Sequence, residues 1–192
     1  MVAVSRSPLL PLLVALPLLC WPQVSEYRRA KQKFDDIGAG QTPRASDVVL
    51  TQRELNAYIA GEIPRAVGEG AVKSSHLTLN EGSGVMQARV DFVRLQKNTG
   101  HSPGWLLQKM LEGERDIEVT ARVKSANRTA TIWVDRVQMG GISLPAPLLD
   151  FLLEVFIQPQ FPGLKLGQPF PLRPGVDHFD VHRGAVRVFL HR

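Results

Sequence analysis

Residues 145–159, "PAPLLDFLLEVFIQP", carry polar side chains only at Asp150, Glu154 and Gln158. Spaced four apart, these form one narrow stripe on a helix of 3.6 residues per turn, and the rest of the cylinder is Leu, Phe, Val and Ile. Such a helix is expected to be surrounded on most sides, yet it is shorter than the ~20 residues that cross a bilayer. Elsewhere the apolar period is two. In "VMQARVDFVRL" (85–95), Met86, Ala88, Val90 and Phe92 alternate with Gln87, Arg89 and Asp91, and "SSHLTLN" lies across "EGSG" as the partner strand of a hairpin. Ile117, Val119, Ala121 and Val123 alternate in the same way. After a turn around Asn127, Ile132 and Val134 continue the pattern. "VDHFDVHRGAVRVFL" predicts a last hairpin about "HRG".

Between these lie helical stretches. Residues 26–37 are charged with few apolar anchors and are expected to stand off from the core, and "GAGQTPRAS" (38–46) reads as a linker. In "TQRELNAYIAGEIP", Thr51 and Glu54 have capping-box spacing, Leu55, Tyr58 and Ile59 share a face, and Gly61 and Pro64 are expected to end the helix. Ser102 and Pro103 open another short helix that Gly113 closes. The order is helix, helix, hairpin, helix, hairpin, helix, hairpin. It predicts an α+β fold: a highly curved antiparallel sheet built of hairpins, wrapped around one or more apolar helices.

The first 25 residues stand apart. One cation, Arg6, precedes an apolar run from Pro8 to Trp21, the pattern of a signal peptide or membrane anchor. Arg28, Arg29, Lys31 and Lys33 on its far flank resist translocation, and Pro11 and Pro17 break the run. Cys20 closes "LPLLC", but the large Leu19 spoils a lipid-attachment box. As the only cysteine, Cys20 has no internal disulfide partner. The organisation expected is a leader over 1–25, a charged helix and linker over 26–47, and one domain over 48–192, located outside the cytoplasm or at a membrane.

Charge changes the picture only slightly. With 23 Lys and Arg against 18 Asp and Glu, the chain carries a formal +5, which favours anionic partners. Aromatics make up only 7% and do not interleave with the cations, so nucleic acid is not expected as a partner. An anionic membrane surface fits better, met by Arg89, Arg94, Arg122, Lys124, Arg128 and Arg136 on the wet side of the hairpins. The simpler reading of those cations is a solvated sheet face.

"LTQRELNAYI" ahead of a hairpin, "GGISLP" entering an apolar helix and the terminal "HFDVHRGAVRV" together resemble bacterial members of the tubular lipid-binding superfamily, small exported or lipid-anchored proteins. The resemblance covers residues 48–190 in order of elements. It implies a long helix along a highly curved sheet with an acyl chain or other apolar ligand between them. By the same resemblance Leu55 and Tyr58 would pack inward and Asn56 would tie backbone near its helix start. The ligand-facing residues expected are Leu55, Tyr58, Val90, Phe92, Val119, Ile132, Val134, Leu148, Leu149, Leu152 and Phe156.

Signals for catalysis are sparse. "HFDVH" places His178, Asp180 and His182 on one face of a strand, as three zinc or copper ligands would be, but alternation predicts the same polar face with no metal. "GxSxG", HExxH, a P-loop and a dinucleotide fingerprint are absent from the sequence. Trp105 and Trp133 read as core or interface anchors. No cofactor is expected. The function expected is non-enzymatic binding or carriage of a lipid or apolar small molecule in the cell envelope. The alternatives are an envelope scaffold with a dry core and, behind it, a metal-dependent or glycan-acting enzyme.

Overall fold

The structure is a computed structural model that describes residues 22–41, 47–100, 113–144 and 165–191. Residues 1–21 of the expected leader, the helix expected after Ser102 and the apolar segment 145–159 lie outside the described residues. The elements run α1 (Pro22–Ala39), β1 (Asp47–Thr51), α2 (Gln52–Val67), β2 (Val72–Asn80), β3 (Ser83–Asp91) and α3 (Phe92–Thr99). They continue with β4 (Glu114–Ala126), β5 (Thr129–Met139), β6 (Ile142–Ser143), β7 (Phe170–Pro171), β8 (Val176–His182) and β9 (Ala185–Leu190). No helix among the described residues is long and apolar enough to cross a membrane.

The fold is α+β and its strand pairings are antiparallel, in two sheets rather than one. Strands β2-β3-β4-β5-β6 form the larger, with β7 added to β5, and β1-β9-β8 form the smaller. Among the described residues neither sheet is closed or strongly curled. The three expected hairpins are present. The β4–β5 turn is two residues long, with Asn127 and Arg128 at φ +52° and +61°, the primed geometry that matches strand twist. The β4–β5 register then slips, Thr120 facing Arg136 while Ala121 faces Val134, so Asp135 is the extra residue of a bulge. That bulge keeps Val134 and Val137 on one face although they are three positions apart.

Four expectations need correction. The strand read through Phe92 stops at Asp91, whose carboxylate accepts the Arg94 N–H at 3.0 Å and starts α3. Helix α2 runs past Gly61 and Pro64 to Val67. An internal proline costs about 3 kcal/mol, but burying Val67 contributes about 1.5–3, and Val67 is only 2% exposed in the first core. Gly61 seats a neighbour instead of ending the helix: a Cβ there would lie 2.5 Å from a ring carbon of Tyr27. Nor does α1 stand off. Tyr27, Ala30, Phe34 and Ile37 recur at helical spacing: Tyr27 and Phe34 dock on α2, Ala30 is wholly buried and Ile37 enters a core beneath. Finally, the "DVVL" stretch before the capping box is a strand, β1, and it takes the terminal hairpin into a sheet of its own.

Two cores result. Val67, Ala71, Val90, Phe92, Leu95, Ile117 and Val137 fill one, between the larger sheet and helices α2 and α3. Ile37, Leu50, Val176 and Val188 fill the other, under α1. The sheets meet where the free edge of β8 crosses two hairpin tips. Gly82 N–H donates to Val181 O at 2.9 Å and Arg128 N–H to Asp177 O at 2.7 Å. Between them the Ser125 hydroxyl serves both backbone groups of Phe179, accepting its N–H at 2.6 Å and donating to its carbonyl at 2.7 Å.

Candidate functional site: the apolar face of the larger sheet

Alternation puts one face of β3, β4 and β5 in apolar residues, and cross-strand register arranges them in rows. Met86 faces Val119, which faces Val137; Gly84 faces Ala121, which faces Val134; Val123 faces Ile132. Burial along this face is greatest at its two ends. At the end covered by α2 and α3, Val90, Ile117 and Val137 are buried, and near the hairpin tips Leu79 and Ala130 are buried again. Between them Met86, Val119, Ala121, Val123, Ile132 and Val134 are only half-buried.

The face gathers some of the expected residues and not others. Val90 and Phe92 are sealed in the first core, with Val119 and Val134 packed against it, and Ile132 stands in the next row. Leu55 packs instead against the second core. Tyr58 turns to α1, its ring centroid 4.5 Å from that of Phe34 and 6.1 Å from that of Tyr27. Leu148, Leu149, Leu152 and Phe156 lie outside the described residues.

Asn56 does tie backbone, and more than the helix start. Its amide donates to Gln52 O at 2.9 Å and Leu77 O at 2.8 Å, and accepts Leu77 N–H at 2.6 Å. Gln52 accepts Leu79 N–H at 2.8 Å. The two amides thus pair with the edge of β2 as a further strand would, closing an edge that would otherwise invite pairing. Asn56→Leu is expected to destabilise by about 1–3 kcal/mol, because it leaves Leu77 without partners for both backbone groups, and to raise aggregation. Urea titration with light scattering checks both effects.

Glu54 does more than the capping box required. It is 3% exposed, and its carboxylate accepts from Lys33 Nζ at 2.7 and 2.8 Å, from Thr51 N–H at 2.8 Å and from the Thr51 hydroxyl at 3.1 Å. Burial pushes its pKa up, but the bonds from Lys33 and Thr51 together outweigh burial and hold the carboxyl below the usual glutamate value. A cleft of about 510 Å³ opens beside it, lined by Glu26, Arg29, Thr51, Gln52, Arg53, Glu54 and Gly184. The carboxylate is committed to the cap and to α1, so it is a structural group in a seam.

The wet face is less basic than its arginines suggest. Arg89 is bound to Asp116 at 2.8 and 3.0 Å, Arg122 to Asp135 at 2.7–3.0 Å, and Arg94 lies 3.4 Å from Asp91. The residues of "HFDVH" do not converge. His178 bonds Asp177 at 2.7 Å and stacks on Phe189, while His182 reaches Glu81 at 3.1 Å. No three His, Cys, Asp or Glu side chains among the described residues are placed to share a metal ion.

Of these features, the apolar face and the capping box were readable from alternation and spacing. The role of Lys33 was not, since its partner lies on another helix. No protein-family model matches the chain, and no curated protein or solved structure is significantly similar to it.

Proposed function

We propose that the protein binds a lipid or other apolar molecule on this face, outside the cytoplasm or at a membrane, with no chemistry of its own. The observation that carries the reading is the half-buried middle of this face. One continuous apolar surface is closed core at Val90, Ile117 and Val137, half-buried from Met86 and Val119 to Val123 and Ile132, and closed again at Leu79 and Ala130. Sites for such ligands are lined predominantly by apolar side chains. The resemblance of "LTQRELNAYI" to the tubular lipid-binding superfamily supports the same reading. The strong curvature of that family belongs to the proposal, as do Leu148, Leu149, Leu152 and Phe156 as ligand-binding residues. The leader serves as export signal or anchor in this scheme.

Val119→Trp tests it, because Val119 stands where core passes into half-buried surface. In a ligand site the indole occupies ligand volume. The variant should then keep near wild-type stability but lose the lipid that native mass spectrometry finds on the wild-type chain purified from cells. In a dry core it should lose about 1–3 kcal/mol through overpacking. A destabilised variant of a wild type that carries no lipid would assign the face to packing, and the protein to the scaffold class.

A further inference from the structure

The opposite face of the larger sheet carries a polar row that crosses four strands. His76, Gln87, Glu118 and Gln138 pair in register on β2, β3, β4 and β5, so they stand side by side at the strand spacing of about 4.8 Å. In the adjoining row Arg89 grips Asp116 through two hydrogen bonds. These six side chains line a groove of about 410 Å³ that ends against the Gly140–Gly141 turn.

The chemistry of the groove is narrow. It offers an imidazole, two amides, two carboxylates and a guanidinium, all planar groups, beside Ser74, Ser75, Ala88 and Ile117, and its lining contains neither lysine nor a Phe, Tyr or Trp ring. Arg89 cancels Asp116, and Gln87 donates to Glu118 at 2.9 Å. A phosphate or polyanion needs surplus cations, a nucleobase needs an aromatic platform, and an apolar ligand needs an apolar lining. Vicinal hydroxyls, which donate and accept at once, match planar amides and carboxylates in pairs.

We propose that this groove binds a neutral glycan laid across the strands, with His76 and Gln138 at the two ends of the contact row. The site is separate from the apolar face, which lies on the other side of the same strands.

The test is a titration of the full chain with neutral oligosaccharides of glucose and of N-acetylglucosamine, followed by amide NMR, with a sulfated glycan as comparison. Shifts are expected at residues 74–76, 87–89, 116–118 and 138–141. His76→Ala and Gln138→Ala should each weaken binding about tenfold, the effect of one lost polar contact to a ligand. His76 is exposed and Gln138 half-buried, and circular dichroism verifies that each variant is folded. No shift at these positions with any neutral oligosaccharide overturns the proposal. So does binding unchanged in the double variant, or tighter binding of the sulfated glycan.

Discussion

Phe92→Ala is expected to cost about 3–5 kcal/mol, the range for removing a buried aromatic ring from a packed core. Phe92 is 0% exposed and sits in the first core with Val67, Val90 and Leu95. It is the first residue of α3, immediately after the Asp91 cap, and its N–H donates to Gly113 O at 3.2 Å. Its ring therefore holds a sheet-to-helix corner where the backbone is already fixed, and the cavity cannot collapse by moving one side chain. Since domains of this size are stable by only about 5–15 kcal/mol, the variant should unfold at much lower urea. The adjacent Val93 is exposed, so Val93→Ala should stay within about 0.5 kcal/mol. Equal small losses in the two variants would refute the placement of Phe92, and would return it to the ligand-facing role that alternation alone suggested.

Lys33→Met should be the next most damaging change described. Breaking a fully buried pair costs about 3–5 kcal/mol, because the surviving charge has no compensation. Lys33 itself is about a third exposed, Arg29 lies 3.8 Å from the same carboxylate, and Thr51 keeps its bonds. Screening by water lowers the expectation to about 2–3 kcal/mol. The pH dependence follows from the depressed pKa of Glu54. A group held below its unfolded value stabilises the fold fully above that unfolded value, and the contribution is lost as pH falls through the folded one. In the wild type the Glu54 contribution should therefore be lost only on the acid side of the ordinary glutamate range. In Lys33→Met the carboxyl loses its main charged partner while burial still pushes it up, so its folded pKa rises toward the unfolded one and the acid loss that Glu54 contributes should shrink. Stability measured by denaturant at a series of pH values separates the two curves. An identical acid limb in both proteins would mean that Lys33 does not set the charge state of Glu54.

The hairpins were legible because each carries its signal within a dozen residues, as alternation on both arms and a turn between them. Even the bulge leaves a trace, since Asp135 and Arg136 are consecutive polar residues in an alternating strand. Short-range ambiguity hid α3: Phe92 continues the period-two series of Val90 and also pairs with Leu95 at helical spacing, and only the capping by Asp91 decides. Charge hid the docking of α1, whose stripe of Tyr27, Ala30, Phe34 and Ile37 is thin among Arg, Lys and Asp. Strand β1 was out of reach of any local pattern, because its partner is β9, at the far end of the described chain. The candidate face divides in the same way. Membership of Val90, Val119, Ile132 and Val134 followed from alternation, whereas the departure of Leu55 and Tyr58 toward α1 depends on a helix that seemed to have too few anchors.

The pairing of β1 with β9 also sets an order of events. Leu50 faces Val186 and Val48 faces Val188, so the second core joins residues from α1 and β1 to strands made long afterwards. Contacts of such sequence separation form slowly, because the intervening loop must be closed before any of them is rewarded. During synthesis the larger sheet and its helices can assemble while Ile37 and Leu50 still lack the strands they pack against. Ile37 thus gains its strand partners only after β9 has emerged, whereas Tyr27 and Phe34 can lie on α2 long before, so α1 is seated in two stages, first against a helix and last against a sheet.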